Sequence, residues 1–327
     1  MTEPTTAPAL GIDIGKKHFH VALLRAAKYR HKRFDNTPSG WTQLSRWLER
    51  HAEDSVPICL EATNTYGEAL ATYLHDAGYR VSLVNPARIK AFAASELSRL
   101  KSDKGDASLI ARFCLAQQPP AWTPPAPAVR ELKALIRRLE SLQDLRQQES
   151  NRLETQTQRQ VVNSIETVLA GLDAEIARIR QQIDDHLDGH PELKQQHDLL
   201  TSIPGIADLT AARFLAEVGD VRAFRSARQV AAFVGVNPAE RSSGLWRGRT
   251  VMSKIGNARL RAALYMPAIT AVHHNPLVRV FYQRLIGRGM AKKAAIGAAM
   301  RKLVHIAYGV LKSGQPFNPN IMDERLT

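Results

Sequence analysis

Short apolar runs alternate with amphipathic stretches through the first third of the chain, and amphipathic stretches dominate the rest. Leu10-Gly11-Ile12-Asp13-Ile14-Gly15 predicts a short strand with an acid in its middle. Residues 18–24 predict a second strand, paired with the first by a tight turn around Gly15-Lys16-Lys17, and 29–34 a third. Asn36-Thr37-Pro38-Ser39 then offers caps for a helix in which Trp41, Leu44, Trp47 and Leu48 recur at helical spacing. Residues 56–60 form a buried-strand run that ends on Glu61, and a helix through Leu70, Tyr73 and Leu74 follows. A strand over 80–84, a short helix near 87–94 and a helix opening at Asp103 complete this part. The order is three strands, helix, strand, helix, strand, helices: an α/β domain over 10–120.

The proline-rich stretch Pro119-Pro120-Ala121-Trp122-Thr123-Pro124-Pro125 marks a boundary, with a linker over 121–128. No Gly or Pro occurs from Ala128 to Ala170. Leu132, Leu135, Leu139 and Leu142, then Ile165, Leu169, Leu172, Ile176, Ile179 and Ile183, step by three and four. That is the seam of a coiled coil or long helical hairpin over 129–190, either an intramolecular arm or a dimerisation arm. The polar run 155–160 predicts a bend or a weak stretch of the seam. Ser202-Ile203-Pro204-Gly205-Ile206 predicts a turn between short helices, the second opening near Asp208, in the manner of a helix–hairpin–helix element. Beyond it come a small helix over 226–233, helices over 258–270 and 292–311, and Ser253 as a helix cap. Residues 195–316 thus form a mainly α-helical domain, with tails at 1–9 and 317–327.

Charge narrows the partner. The formal net charge is +14, and between Arg241 and Met322 there are fourteen Lys or Arg and no Asp or Glu. A surplus so placed points to a polyanion, nucleic acid before membrane. Cys59 and Cys114 lie in apolar runs and read as reduced core thiols of a cytoplasmic protein. No apolar run reaches membrane-spanning length and no secretory signal precedes Leu10, so no membrane role is expected.

Four acids carry the candidate chemistry. Asp13 sits inside a strand, Glu61 at the end of a core strand, and Asp103 and Asp106 one turn apart at a helix start. Each has an ordinary explanation, since acids favour the first turn of any helix. Jointly they match the four-carboxylate pattern of a ribonuclease-H-like fold, as used by RuvC-type resolvases. Carboxylates suit hard Mg²⁺, and paired divalent cations clamp the entering and leaving oxygens of a phosphoryl displacement. In the carboxy-terminal half, Arg241-Ser242-Ser243-Gly244-Leu245-Trp246-Arg247-Gly248-Arg249 alternates small residues with arginines, as a loop that approaches phosphate would. Lys254, Arg259, Lys292 and Lys293 add further cations for nucleic acid.

Together these strings, with Leu60-Glu61-Ala62-Thr63, Lys104-Gly105-Asp106-Ala107, Ala231-Ala232-Phe233-Val234-Gly235, Met252-Ser253-Lys254-Ile255-Gly256 and Leu264-Tyr265-Met266-Pro267-Ala268, resemble the bridge-RNA-guided DEDD transposases of bacterial insertion sequences, relatives of the Piv pilin-gene invertases. The resemblance covers roughly Leu10 to Pro316. It implies a RuvC-like domain with Mg²⁺ on Asp13, Glu61, Asp103 and Asp106, a coiled-coil arm, and a transposase domain with a nucleophilic serine. Alignment places that serine at Ser243, with Ser242 as the alternative, and Asn64 stands where the pattern has Gly. The implied partners are double-stranded target and donor DNA and a structured non-coding bridge RNA, and the implied assembly is a homo-oligomer, a dimer of dimers. Two rival readings are a Mg²⁺-dependent junction-resolving endonuclease that activates water, and a non-catalytic nucleic-acid scaffold.

Overall fold

The computed structural model describes residues 7–51, 56–62, 66–96, 102–239, 242–243, 246–247 and 251–320, with backbone alone at 242–243 and 246–247. The amino-terminal tail 1–6, Asn64, Arg241, Arg249 and residues 321–327 lie outside the described residues. The chain divides into two units, Met1–Pro124 and Pro125–Thr327.

The first unit is built on a five-stranded sheet of order β3-β2-β1-β4-β5. Strands β1 (Ala9–Ile14), β2 (His18–Arg25) and β3 (Lys28–Asp35) form an antiparallel meander. Helix α1 (Pro38–His51) returns the chain to β4 (Ile58–Glu61), which pairs parallel with β1. Helix α2 (Tyr66–Asp76) leads to β5 (Val81–Val84), parallel to β4, and α3 (Pro86–Ser95) and α4 (Asp103–Gln117) follow.

Side chains alternate across a strand, and β1 uses both faces. Leu10 and Ile12 join Leu44, Leu48, Leu70 and Leu74 in one core layer. Ala9 packs on the other face with residues of α4, including Ile110 and Phe113. Cys59 and Cys114 are buried free thiols in this second layer, and a hydrogen bond with Cys114, then burial, pushes the Cys59 thiol up. The proline-rich stretch begins as a strap on the sheet. Trp122 donates its backbone N–H to Val81 at 2.7 Å, and Ser82 Oγ donates to the Pro119 and Pro120 carbonyls.

The second unit is helical. Helices α5 (Pro127–Thr155) and α6 (Arg159–Asp188) run antiparallel through a turn at 156–158. His186 meets the Ala128 carbonyl at one end and Arg146 pairs with Asp173 nearer the turn. Leu132, Ile136, Leu139 and Leu142 pack into one core with Ile176, Ile179 and Ile183. Then come α7 (Pro191–Thr201), α8 (Asp208–Val218) and α9 (Ala227–Val234). Two short ribbons follow: β6 (Pro238–Ala239) pairs with β9 (Val251–Met252), and β7 (Ser242–Ser243) with β8 (Trp246–Arg247). Helices α10 (Ala258–Ala263), α11 (Tyr265–His274), α12 (Pro276–Gly287) and α13 (Lys292–Ser313) close the unit.

Three details depart from the pattern-based expectation. The helix expected over 258–270 is two helices meeting at Leu264. Pro267 is the reason: it lacks the N–H that would bond the Ala263 carbonyl and its ring crowds that oxygen. Ser253 caps no helix; Asn257 accepts from Leu260 N as the cap of α10, while Ser253 N donates to Asn237 O. Helix α13 has the length and composition to cross a membrane, yet its apolar positions, Ala299, Leu303, Val304, Ile306, Ala307 and Val310 among them, are buried in the helical core.

Candidate active site

Asp13 projects from β1 on the face that α4 covers. Leu60 pairs with Ile12, so Glu61 stands beside Asp13 at the ends of two parallel strands, on that same face. The other two acids arrive from α4. Ser102 caps that helix, its hydroxyl accepting from Gly105 N at 3.1 Å, and Asp106 N donates to the Ser102 carbonyl at 2.7 Å. Asp103 and Asp106 therefore occupy the first turn, on one face. Gly11 lets α4 come this close: a Cβ there would lie 2.2 Å from the Ala107 carbonyl oxygen and 2.3 Å from Ala111 N.

Electrostatics registers the convergence. Burial, then Asp106, Asp103 and Glu61 in that order, push the Asp13 carboxyl from its ordinary 3.8 up to about 6. Like charges in one neighbourhood disfavour further ionisation. The four sequence-predicted acids thus share a single field, although no group of three or more His, Cys, Asp or Glu among the described residues forms a metal-coordinating cluster. The donor set, all carboxylate oxygen and mutually repelling, fits a hard divalent cation.

Two neighbours escaped the pattern-based search. His20 lies directly opposite Asp13 in the β1–β2 register, and its Nδ1 is 3.5 Å from Asp103 Oδ2 with the side chain 21% exposed. Counting back from the tight turn at Gly15 locates it, since Ile14 pairs with Phe19 and Asp13 with His20. Asn36, expected only as a cap, ties the strand ends together. Its amide donates to the Gly15 carbonyl at 3.1 Å and the Tyr66 carbonyl at 3.2 Å, and its oxygen accepts from Trp41 Nε1 at 2.9 Å.

In the second unit, Ser242 and Ser243 form β7, Ser243 opposite Trp246 and Ser242 opposite Arg247. The side chains of Ser243 and Arg247, and all of Arg241 and Arg249, lie outside the described residues. Lys254 is exposed at φ 56°, its carbonyl accepting from Arg261 Nη1 at 3.1 Å. Arg259 pairs with Glu140 at 3.1 Å, so part of its charge is already answered within the fold. Lys292 and Lys293 are exposed in the first turn of α13, where the helix dipole disfavours cations.

Comparison with known proteins gives the family. A model of IS110-type DEDD transposases matches residues 10–160, and one described as the transposase IS116/IS110/IS902 family matches 197–283. The pilin gene-inverting protein of Moraxella bovis is 32% identical over 316 residues, covering 95% of this chain and 98% of that protein. Its Moraxella lacunata counterpart matches to the same extent. A probable family 20 transposase of Pseudomonas aeruginosa is 27% identical over 260 residues, 68% of this chain and 74% of that protein. The chain belongs to the IS110/IS116 family of DEDD transposases, enzymes of DNA recombination.

Proposed function

We propose that this protein is the RNA-guided recombinase of an insertion sequence, cutting and rejoining strands of target and donor DNA through a phosphoserine at Ser243. One observation carries most weight: Asp13 and Glu61 end neighbouring parallel strands on the face that α4 covers with Asp103 and Asp106 in its first turn, and the Asp13 carboxyl is raised by burial and then by Asp106, Asp103 and Glu61. Asp13, Glu61, Asp103 and Asp106 would hold Mg²⁺, which when bound neutralises charge developing on the phosphoryl oxygens.

The chain's own groups do the rest. The Ser243 hydroxyl forms a bond to phosphorus as the bond from phosphorus to the departing deoxyribose oxygen breaks, and that oxygen leaves protonated as a free end. A serine is a weak nucleophile at its ordinary pKa and needs activation. A divalent cation held by Asp13, Glu61, Asp103 and Asp106 would acidify that hydroxyl, and its proton leaves to solvent. Arg247 and Arg249 neutralise the pentavalent phosphorus, while Arg241, Lys254, Arg259, Lys292 and Lys293 hold the backbone. The phosphoserine conserves the bond energy, so the reverse attack rejoins strands without ATP.

On this reading residues 10–120 are the RuvC-like domain, 129–190 a coiled-coil arm for assembly and 195–316 the transposase domain with a helix–hairpin–helix element at α7–α8. Each active site joins one subunit's carboxylates to another's serine, in a dimer of dimers. A structured bridge RNA reads target and donor by base pairing, leaving shape and backbone to the protein. The acid-free basic run from Arg241 to Met322 supports a partner of this charge.

Denaturant trapping of a protein–DNA adduct tests the chemistry. Wild type should yield the adduct and Asp106→Asn should not. Cleavage by wild type with no adduct at any time would instead establish a resolvase that hydrolyses with water.

A further inference from the structure

Strand β3 is an edge of the five-stranded sheet, and within Lys28–Asp35 it carries Lys28, Arg30, His31, Lys32 and Arg33, all exposed. Edge strands often bear charge simply to discourage pairing with other edges. That purpose does not require one sign, nor a place in register with the carboxylates. Asp35, the strand's one acid, is taken by His18 at 2.8 Å. Among the described residues, Arg33, His31 and Lys104 have no carboxylate at ion-pair distance.

The register makes a row. Asp13 pairs with His20, and His20 with Arg33. Directly opposed residues project to one face, so these three side chains line up across β1, β2 and β3. Two strand spacings, about 10 Å, separate Asp13 from Arg33, the span of a few nucleotides. His31 lies two positions along β3 on the same face. Lys104 follows Asp103 in the first turn of α4, and Asp103 is the acid that His20 of this row meets at 3.5 Å; burial, then Lys104 and His20, hold the His31 imidazole below the usual range. The row runs from a cationic edge to the acids, with His20 beside Asp103 between them.

We propose that Arg33, His31 and Lys104 grip the phosphate backbone of the DNA strand being cut, and that β3 is the rail along which that strand reaches Asp13. This rests on the carboxylate site being the place of cleavage. DNA rather than RNA is the occupant because the row terminates at the acids, where the bond broken belongs to DNA.

The full chain is titrated into fluorescein-labelled single-stranded DNA of mixed sequence, and separately into RNA of the same sequence, between about 50 and 200 mM salt. Arg33→Ala with Lys104→Ala should weaken DNA binding about tenfold and flatten the log–log salt slope by about 1.4, near 0.7 for each lost contact. Lys32→Ala, on the opposite face over the Phe34 ring, is the control and should leave both unchanged. Benzoylphenylalanine placed at Arg33 should crosslink to DNA, whereas the same residue at Arg46 on α1 should not. A wild-type slope with no crosslink at position 33, or a loss confined to RNA, overturns the rail. Asp106→Asn in a cleavage assay separates the two failures. If that variant is inactive while the double variant binds normally, the carboxylate site stands and the rail alone is wrong. If it still cuts, the site is wrong and the rail falls with it.

Discussion

Gly11 lies directly beneath Ala107: a Cβ on the glycine would stand 2.2 Å from the alanine's carbonyl oxygen. Helix α4 is thereby laid on the backbone of β1, and the two acids of its first turn come over the strand that carries Asp13. Gly11→Ala should cost about 2–3 kcal/mol of stability, because backbone rather than a pliable side chain is in the way. Urea titration measures the loss. Cleavage should fall further than the folded fraction does, since the displaced helix carries Asp103 and Asp106. Equal falls in folded fraction and activity would deny α4 this positioning role.

The four acids should burden the fold they serve. With its carboxyl raised from 3.8 to about 6, Asp13 contributes stability that is complete below pH 4 and is lost as pH rises through 6. Asp13→Asn should therefore match wild type in melting temperature near pH 4 and exceed it by about 3–5 °C at pH 7 in metal-free buffer. Magnesium should raise the wild-type melting temperature at pH 7 and leave the variant almost unmoved. A constant difference across pH would mean that Asp13 does not feel its neighbours.

Ser242 and Ser243 are adjacent residues of one short strand, β7. On the proposed phosphoserine mechanism one of the two is the nucleophile. Ser243→Ala should abolish the covalent adduct and strand transfer while DNA binding stays within about twofold. Ser242→Ala should keep the adduct. Peptide mapping of the trapped adduct reads the answer directly, and phosphate found on Ser242 reverses the assignment.

The cations of the second unit should not weigh equally. Lys292→Ala with Lys293→Ala removes two exposed charges that have no acid partner among the described residues. The salt slope for duplex DNA should drop by about 1.8, near 0.9 for each contact. Arg259→Ala loses a pair with Glu140 that is 60% exposed on the arginine side, so it should cost under about 1 kcal/mol of stability and change the slope less. Equal slopes for wild type and the double lysine variant would place the DNA elsewhere.

Local pattern determined a great deal of this. Strands β1 to β5 and helices α1 to α4 follow from runs of apolar residues and from turn residues such as Gly15 and Pro86, because secondary structure answers to near neighbours. Asp13 and Glu61 stood out for the same reason, since an acid inside Leu10–Ile14, or ending the run Ile58-Cys59-Leu60, violates the apolar pattern around it, whereas Asp103 and Asp106 by themselves read as an ordinary helix start. The break at Leu264 was also encoded, in Pro267, but the apolar spacing across 258–270 masked it.

Tertiary structure decided what lies next to what. His20 reads as one more polar position in a strand until the register sets it opposite Asp13 and α4 brings Asp103 within 3.5 Å. Arg259 reads as a free cation until Glu140, 119 residues away, answers it. Asn36 reads as a cap until its amide bridges Gly15 and Tyr66. Spacing along the chain specifies which face a side chain takes. Which partner meets it there depends on strand order and on the seating of α4, and those are set by the packing of the whole core.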